Sequence, residues 1–369
     1  MNAGRIGTDT AMPVRGANVL VARLDSMGDV LVTGPAIRAV ARASARVTAL
    51  VGPRGVAAAQ LLPGVDAVRI LDAPWVSLSP EALDRGTIDR FVADTAAENY
   101  DAAFVFTSFH QSPLPLALLL RMAGVEWVGA ISVDYPGSLL DLRHSVSDDI
   151  PEAERALSLV EAAGYARDGE GSSLRLRPRA TGPGNESVDS SSYVVYHPGA
   201  AVPARRPTAR HSRDIVRALS SNGFRVIVTG GPDELELAQF VADGKVPNLA
   251  GRLTLGELAD LYAGAEAVVV PNTGPAHLAA AVGVPTVSLF APVVPAVRWA
   301  PHRTPMILLG DQDAACKNSR ARTCPVSGHP CLGSVSPQDV VDAVRALLRR
   351  NFGAHPMPDT PAATVDSGR

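Results

Sequence analysis

Residues 267–292 read AVVVPNTGPAHLAAAVGVPTVSLFAP, and no other stretch limits the fold so tightly. The run 267–270 is apolar and rich in β-branched residues, the pattern of a strand buried on both faces. Asn272 or Thr273 can cap a helix, and Pro275 suits its first turn, where no amide donor is needed. The pattern predicts a short helix over 277–282, ended by Gly283 in a left-handed turn. A second buried strand follows over 284–290. Strand, helix and strand so close together require parallel pairing with a right-handed crossover. The helix then starts where the first strand ends, the side on which open α/β sheets bind ligands. Amides of Thr273, Gly274 and Ala276 point out of that end, and Gly274 has no side chain to block an approaching anion. The helix dipole adds positive charge there. The turn is either a seat for a phosphate or diphosphate, or a tight connection with nothing bound.

The chain of 369 residues is too long for one ordinary core and suits two α/β domains. Its net charge of −3 argues against a general nucleic-acid binder. Of its 34 basic residues only Lys245 and Lys317 are lysine, which with the abundant alanine points to a high-GC genome rather than to a function. Three cysteines do not form a secreted disulfide framework. Residues 1–17 lack the apolar core of a signal peptide and read as a loose arm. The apolar run 114–120 is interrupted by Arg121 and Glu126 too soon to span a membrane. The expected location is cytoplasmic, with at most peripheral contact at the inner face of a membrane.

Strands are expected over 18–24, 46–51, 67–71, 102–107 and 127–131, alternating with helices over 30–43, 56–62, within 80–99, over 115–123 and over 151–163. Residues 18–166 thus form a first doubly wound unit. Residues 167–192 turn to Gly, Ser, Pro and Arg and read as a linker. A second unit follows over 193–336, with a terminal amphipathic helix over 337–350 and a disordered tail over 351–369.

Several strand-end loops carry residues able to do chemistry. Gly28-Asp29 opens a helix after the first strand, and Asp29 is either a general base facing the crevice or a carboxylate favoured by the helix dipole. His197-Pro198-Gly199-Ala200 ends the first strand of the second unit. Arg205 and Arg206 follow and can bind a diphosphate by charge-assisted hydrogen bonds, or form a solvated basic loop. In Gly230-Gly231-Pro232-Asp233-Glu234, Asp233 can meet ribose hydroxyls or cap a helix. His110 and Gln111 follow a strand of the first unit and can meet an acceptor. His277 is expected to pack in its short helix or to reach the ligand. No loop matches G-x-G-x-x-G or the P-loop, which lowers the nicotinamide and NTPase readings. Cys316, Cys324, His329 and Cys331 match no recognised zinc spacing, and a cysteine-bearing surface loop is the expectation.

In order, the segments RLDSMGDVLVTGPAIRAV, HPGA with ARRP, GGPDELELA, PNTGPAHLAAAVGVPTVSLFAP and RTCPVSGHPCL resemble glycosyltransferase family 9, the ADP-heptose–lipopolysaccharide heptosyltransferases. The likeness covers roughly residues 18–350. It implies a GT-B fold: two Rossmann-like domains facing a cleft, the donor on the C-terminal one, the acceptor on the N-terminal one, and the last helix crossing back to the first domain. It implies inverting transfer of a heptose-like sugar from a nucleoside-diphosphate donor, ADP-heptose in the family, to a hydroxyl of a glycan, glycolipid or small acceptor. Neither metal nor cofactor is implied. By position Asp29 matches the catalytic base, with Gly28 beside it on the acceptor side. Gly199, Ala200, Arg205, Asp233, Asn272, Thr273, Gly274 and His277 fall on the donor side, and Leu253 lies near the adenine region.

Two departures stand out. Arg205 replaces a lysine, and Asn272 replaces an aspartate, removing a negative charge from the donor side. Either can signal a different sugar nucleotide, and the composition fits organisms without lipopolysaccharide. The rival readings are another GT-B sugar-nucleotide enzyme, such as an epimerase, and a non-catalytic sugar-nucleotide binder.

Overall fold

Short runs of Val, Leu and Ala bury both of their faces, so parallel sheets with helices on each side are the stable outcome. The computed structural model describes residues 16–77, 80–147, 149–178 and 192–351, apart from the side chains of Arg350 and Asn351. Residues 1–15 of the expected arm, 179–191 of the linker and 352–369 of the tail lie outside the described residues.

The first half runs β1 (Asn18–Arg23), α1 (Met27–Ala41), β2 (Arg46–Val51), α2 (Val56–Leu61), β3 (Ala67–Ile70), α3 (Arg85–Ala97), β4 (Ala102–Val105), α4 (Leu114–Met122), β5 (Trp127–Ile131), β6 (Leu142–His144) and α5 (Glu152–Ala162). Its sheet is parallel, in the order β3-β2-β1-β4-β5-β6. The second half runs β7 (Val194–Tyr196), α6 (Ala209–Ser221), β8 (Val226–Val228), α7 (Leu235–Ala242), α8 (Leu255–Ala263), β9 (Ala267–Pro271), α9 (Gly274–Val282), β10 (Thr286–Leu289), α10 (Ala296–Trp299), β11 (Met306–Leu309), α11 (Pro330–Gly333) and α12 (Pro337–Asn351). Its sheet is also parallel, in the order β11-β10-β9-β7-β8. The strands β6 and β11 have no counterpart in the sequence reading. Both are short and only partly buried, so neither shows the continuous apolar run of a central strand.

This order places the site. In the first sheet the chain leaves β1 to one side through β2 and returns on the other through β4. In the second it does the same around β7, with β8 and β9. Each reversal opens a crevice beyond the strand ends, where such folds take ligands. The helices α1 and α9 start at these crevices and pack on each other. Beneath them one buried apolar cluster runs through both halves, from Val19, Val21 and Ile37 to Tyr262, Val268 and Leu278.

Three boundaries differ from expectation. Gly16 and Ala17 are tied to the sheet rather than loose: the Gly16 amide donates to the Ala43 carbonyl at 2.8 Å, and Ala17 is buried. The first part of the expected linker is docked. Leu174 is buried, the Arg177 amide donates to the Leu61 carbonyl at 2.8 Å, and Asp168 pairs with Arg38 at 2.7 Å. The terminal helix does not cross back within the described residues. The apolar stripe of α12, Val340, Val341, Val344 and Leu347, is buried in the core of the second half against α6, β9, β10 and β11. A stripe that complementary to its own sheet has no surplus apolar face for the other half.

Candidate active site

At the end of β1 stands Arg23, a guanidinium only 3% exposed. Its Nη2 donates to Asp29 Oδ1 at 3.0 Å and to Ser108 Oγ at 2.9 Å. Its Nε lies 2.8 Å from Asp25 Oδ2, and its Nη1 3.9 Å from Glu152 Oε2. One cation therefore faces three carboxylates in a dry place. Burial works against the charge on Arg23, but Asp25 and Asp29 outweigh it and raise its pKa. Asp29 reaches back to Ser26 at the head of α1: its Oδ2 accepts from the Ser26 amide at 3.1 Å and hydroxyl at 2.6 Å. That contact explains why α1 begins at Met27, three residues before the expected start.

The three carboxyls answer differently to this setting. Burial pushes Asp29 up, yet Arg23 and the Ser26 donors more than offset it and hold the carboxyl below its usual value. Burial pushes Asp25 up and prevails, although Arg23 and the Gln111 amide, which donates to Oδ1 at 2.5 Å, pull the other way. Glu152 is raised by burial against the pull of Arg23 and Arg155. Asp29 is therefore the member of the group whose charged form the site favours.

Across the cleft, Gly283 ends α9 at φ 78°, the left-handed turn expected of it. At its start Thr273 is extended and makes no side-chain cap, so its hydroxyl and the Gly274 amide are left for another partner, whereas the Ala276 amide expected to point outward donates to the Thr273 carbonyl at 3.0 Å. Asn272 is 3% exposed and its Nδ2 has no protein partner; His277 is 4% exposed and the same holds for its Nδ1. Burial pushes the His277 imidazole down to about 4, so it is neutral at pH 7. Gly28 and Gly274 let the two helix starts touch. A Cβ on Gly28 would lie 3.0 Å from the Gly274 Cα, and one on Gly274 would lie 2.3 Å from the Met27 Cε. Arg205 comes from the turn Pro203–Arg205. Burial lowers its pKa, Asp29 draws it back up, and its Nε has no partner in the protein.

These groups enclose a cavity of about 330 Å³. Of the residues singled out in the sequence, Gly28, Asp29, His110, Gln111, Arg205, Asn272, Thr273, Gly274 and His277 line it together. Gly199, Ala200, Asp233 and Leu253 do not. Gly199 and Ala200 are buried behind Ala201 and Val202, which line the cavity in their place. Asp233 is exposed, and the carboxylate turned inward is Glu234. Glu234 accepts from the Gly231 amide at 2.8 Å, lies 3.4 Å from His197 Nε2, and would meet a Cβ on Gly199 at 1.9 Å. Helical phase after Pro232 decides between the two acids, and composition does not reveal it. Leu253 packs against the apolar cluster shared by the halves.

Ser108 and Phe109 of the 108–111 loop expected to meet an acceptor line it too, and it takes residues the sequence reading passed over: Asp25, Arg54, Trp299, Arg320 and Arg322. Asp25 had a signal, a carboxylate at a strand end four residues before Asp29. Arg54, from the turn after β2, had none, and neither had Arg320 and Arg322, which reach the cleft from the segment that also bears the cysteines. Between the cysteines that segment is largely exposed, as expected of a surface loop, but its two ends are not. Cys316 and Cys331 are each 1% exposed inside the second core, hydrogen-bonded to each other, and burial beside Cys316 pushes the Cys331 thiol up to about 12. Among the described residues no group of His, Cys, Asp or Glu is arranged to hold a metal ion.

Two parallel α/β sheets facing a cavity at both of their topological switch points define a GT-B protein. The sequence agrees: the model of glycosyltransferase family 9 (heptosyltransferase) matches residues 90–329, and the chain belongs to that family. It is 26% identical over 162 residues to lipooligosaccharide heptosyltransferase 2 of Campylobacter jejuni, covering 42% of this chain and 50% of that protein. The chain thus spans about half the length of that relative. With lipopolysaccharide heptosyltransferase 1 of Escherichia coli K12 it is 25% identical over 294 residues, 75% of this chain and 88% of that one. The solved Escherichia coli ADP-heptose lipopolysaccharide heptosyltransferase II superposes with a TM-score of 0.71 at 18% identity, covering 91% of this chain and all of that one.

Proposed function

We propose that the chain is an inverting glycosyltransferase that moves a heptose-like sugar from a nucleoside-diphosphate donor, ADP-heptose in the first instance, to a hydroxyl of a glycan or glycolipid. One observation carries this. A carboxylate of the first half held below its usual pKa, Asp29, shares a single cavity with a half-buried guanidinium whose Nε has no protein partner and an open helix start of the second, Arg205 and Thr273-Gly274. A base and an anion seat are thereby set on opposite walls.

Asp29 takes the proton of the acceptor hydroxyl. The freed oxygen attacks the anomeric carbon on the face away from the diphosphate, and the bond from that carbon to the phosphate oxygen breaks. The nucleoside diphosphate leaves with the bonding pair. Arg205, the Gly274 amide at the start of α9 and the Asn272 Nδ2 are donors suited to that growing charge, the electrostatic contribution that usually dominates. An asparagine at 272 supports this role, since an amide donates to phosphate where a carboxylate repels it. His110, pushed down to about 4 chiefly by burial, and His277 are both neutral and add no competing charge.

Incubation of ADP-heptose with and without a glycan acceptor tests the reading. Acceptor-dependent ADP release with inverted product supports it. Conversion of the sugar nucleotide alone, or binding with no turnover under any acceptor, refutes it. Arg205→Ala is expected to weaken ADP by about 1.5–3 kcal/mol, the range of a charged hydrogen bond, and adenosine far less. Calorimetry with both ligands checks this, and equal losses would place Arg205 away from phosphate. Turnover is further expected to survive exhaustive chelation, because Arg205 and the α9 start can take a cation's part. Loss with EDTA that magnesium or manganese restores would overturn that point.

A further inference from the structure

The loop after β4 carries Phe109 from the first half into the second. There the Arg298 guanidinium lies 4.1 Å from the ring centroid and that of Arg320 lies 5.4 Å from it, both within cation–π reach. The two arginines come from different segments, Arg298 from the short α10 and Arg320 from the chain between β11 and α11. Arg320 holds a left-handed backbone at φ 57°, as does Asn318 at φ 57°, a conformation uncommon outside glycine. It is kept there by two ties: the Asn318 amide donates to the Pro292 carbonyl and the Arg320 amide to the Val293 carbonyl, each at 2.8 Å. Such a conformation at a cavity wall fixes where a side chain is delivered. Arg320 is delivered beside a like charge, for it repels the cation on Arg205. Both line the cavity. Arg320 is otherwise exposed, and the ring of Phe109 is placed to hold its guanidinium at the cavity wall.

We propose that Phe109 is a positioning residue for the leaving diphosphate. Its ring, presented by the acceptor half, holds Arg320 beside Arg205, so that a second cation faces the diphosphate only when the two halves are closed. This rests on reading the cavity as the seat of a nucleoside diphosphate. The arrangement would make charge stabilisation conditional on closure, and so limit cleavage of the donor by water in an open molecule.

Phe109→Leu keeps an apolar side chain of similar bulk and removes the aromatic face. In the full chain it is expected to weaken inorganic pyrophosphate and ADP roughly fivefold or more by calorimetry, and to lower kcat. Phe109→Tyr should restore both. Arg320→Met should show the same losses, and the double variant Phe109→Leu/Arg320→Met should be no worse than Arg320→Met alone. Additive losses in the double variant, or unchanged pyrophosphate binding in Phe109→Leu with the native melting temperature, would overturn the proposal. Should the wild-type chain bind neither probe, the diphosphate seat itself fails and the clamp with it. If it binds both and the cycle is additive, only the clamp fails.

Discussion

Asp29→Asn is expected to lower turnover by about 10²–10⁴, the usual span for a general base, while ADP affinity and fold change little. The substitution separates the two roles that Asp29 combines. As a helix cap it accepts from the Ser26 amide and hydroxyl, and an asparagine oxygen can do the same. As a base it must hold a proton, and an amide cannot. Removing its charge is tolerable because Arg23 still has Asp25 and Glu152 nearby. The pH dependence has a definite sign. The folded-state pKa of Asp29 is depressed, so its contribution to stability is full above the ordinary carboxylate value and is lost as pH falls through the depressed one. Asp25 and Glu152 are raised by burial and act oppositely, costing stability above their folded values and relieving it on protonation. Asp29→Asn should therefore lose less stability in acid than the native chain. Donor calorimetry beside steady-state transfer on one sample decides the matter. Near-native turnover would leave Asp29 as cap and ion-pair partner, with the base elsewhere.

Arg23→Met is expected to cost about 3–5 kcal/mol, the range for breaking a buried ion pair by removing one partner. Methionine fills much of the volume, so the loss is electrostatic. Asp25, Asp29 and Glu152 would then face one another, with Arg155 3.8 Å from Glu152 and the more distant cations Arg54, Arg205 and Arg298 left to offset them. Their folded pKa values would rise, and stability would fall as pH rises through those values. Urea unfolding at two pH values reads this directly: a large deficit near neutrality that narrows in acid. A loss under about 1 kcal/mol at neutral pH would show that water or other groups already neutralise the cluster.

Much of the cleft's chemistry could be read one loop at a time. Gly28-Asp29 and Asn272-Thr273-Gly274 stand at the ends of apolar strands and open helices, and both signals are local. Arg205 was visible as a basic residue after a strand-end glycine. Asp233 misled because a carboxylate's direction depends on helical phase, and the turn at Pro232 sends Glu234 inward. The burial of Cys316 and Cys331 was not visible because nothing near them in the chain shows the core they enter.

What the sequence by itself determined is the alternation of central elements: strands apolar on both faces followed by helices, and hence two parallel α/β units, but not the short, part-buried strands β6 and β11. The tertiary structure alone decided which ends meet. It set Gly28 against Gly274, put Arg23 among three carboxylates from two segments, kept α12 on its own sheet, and brought Phe109 between Arg298 and Arg320. Hydrophobic period and capping are written in neighbouring residues. Contact between elements depends on which buried faces fit together across long stretches of chain, and no short window of sequence contains that fit.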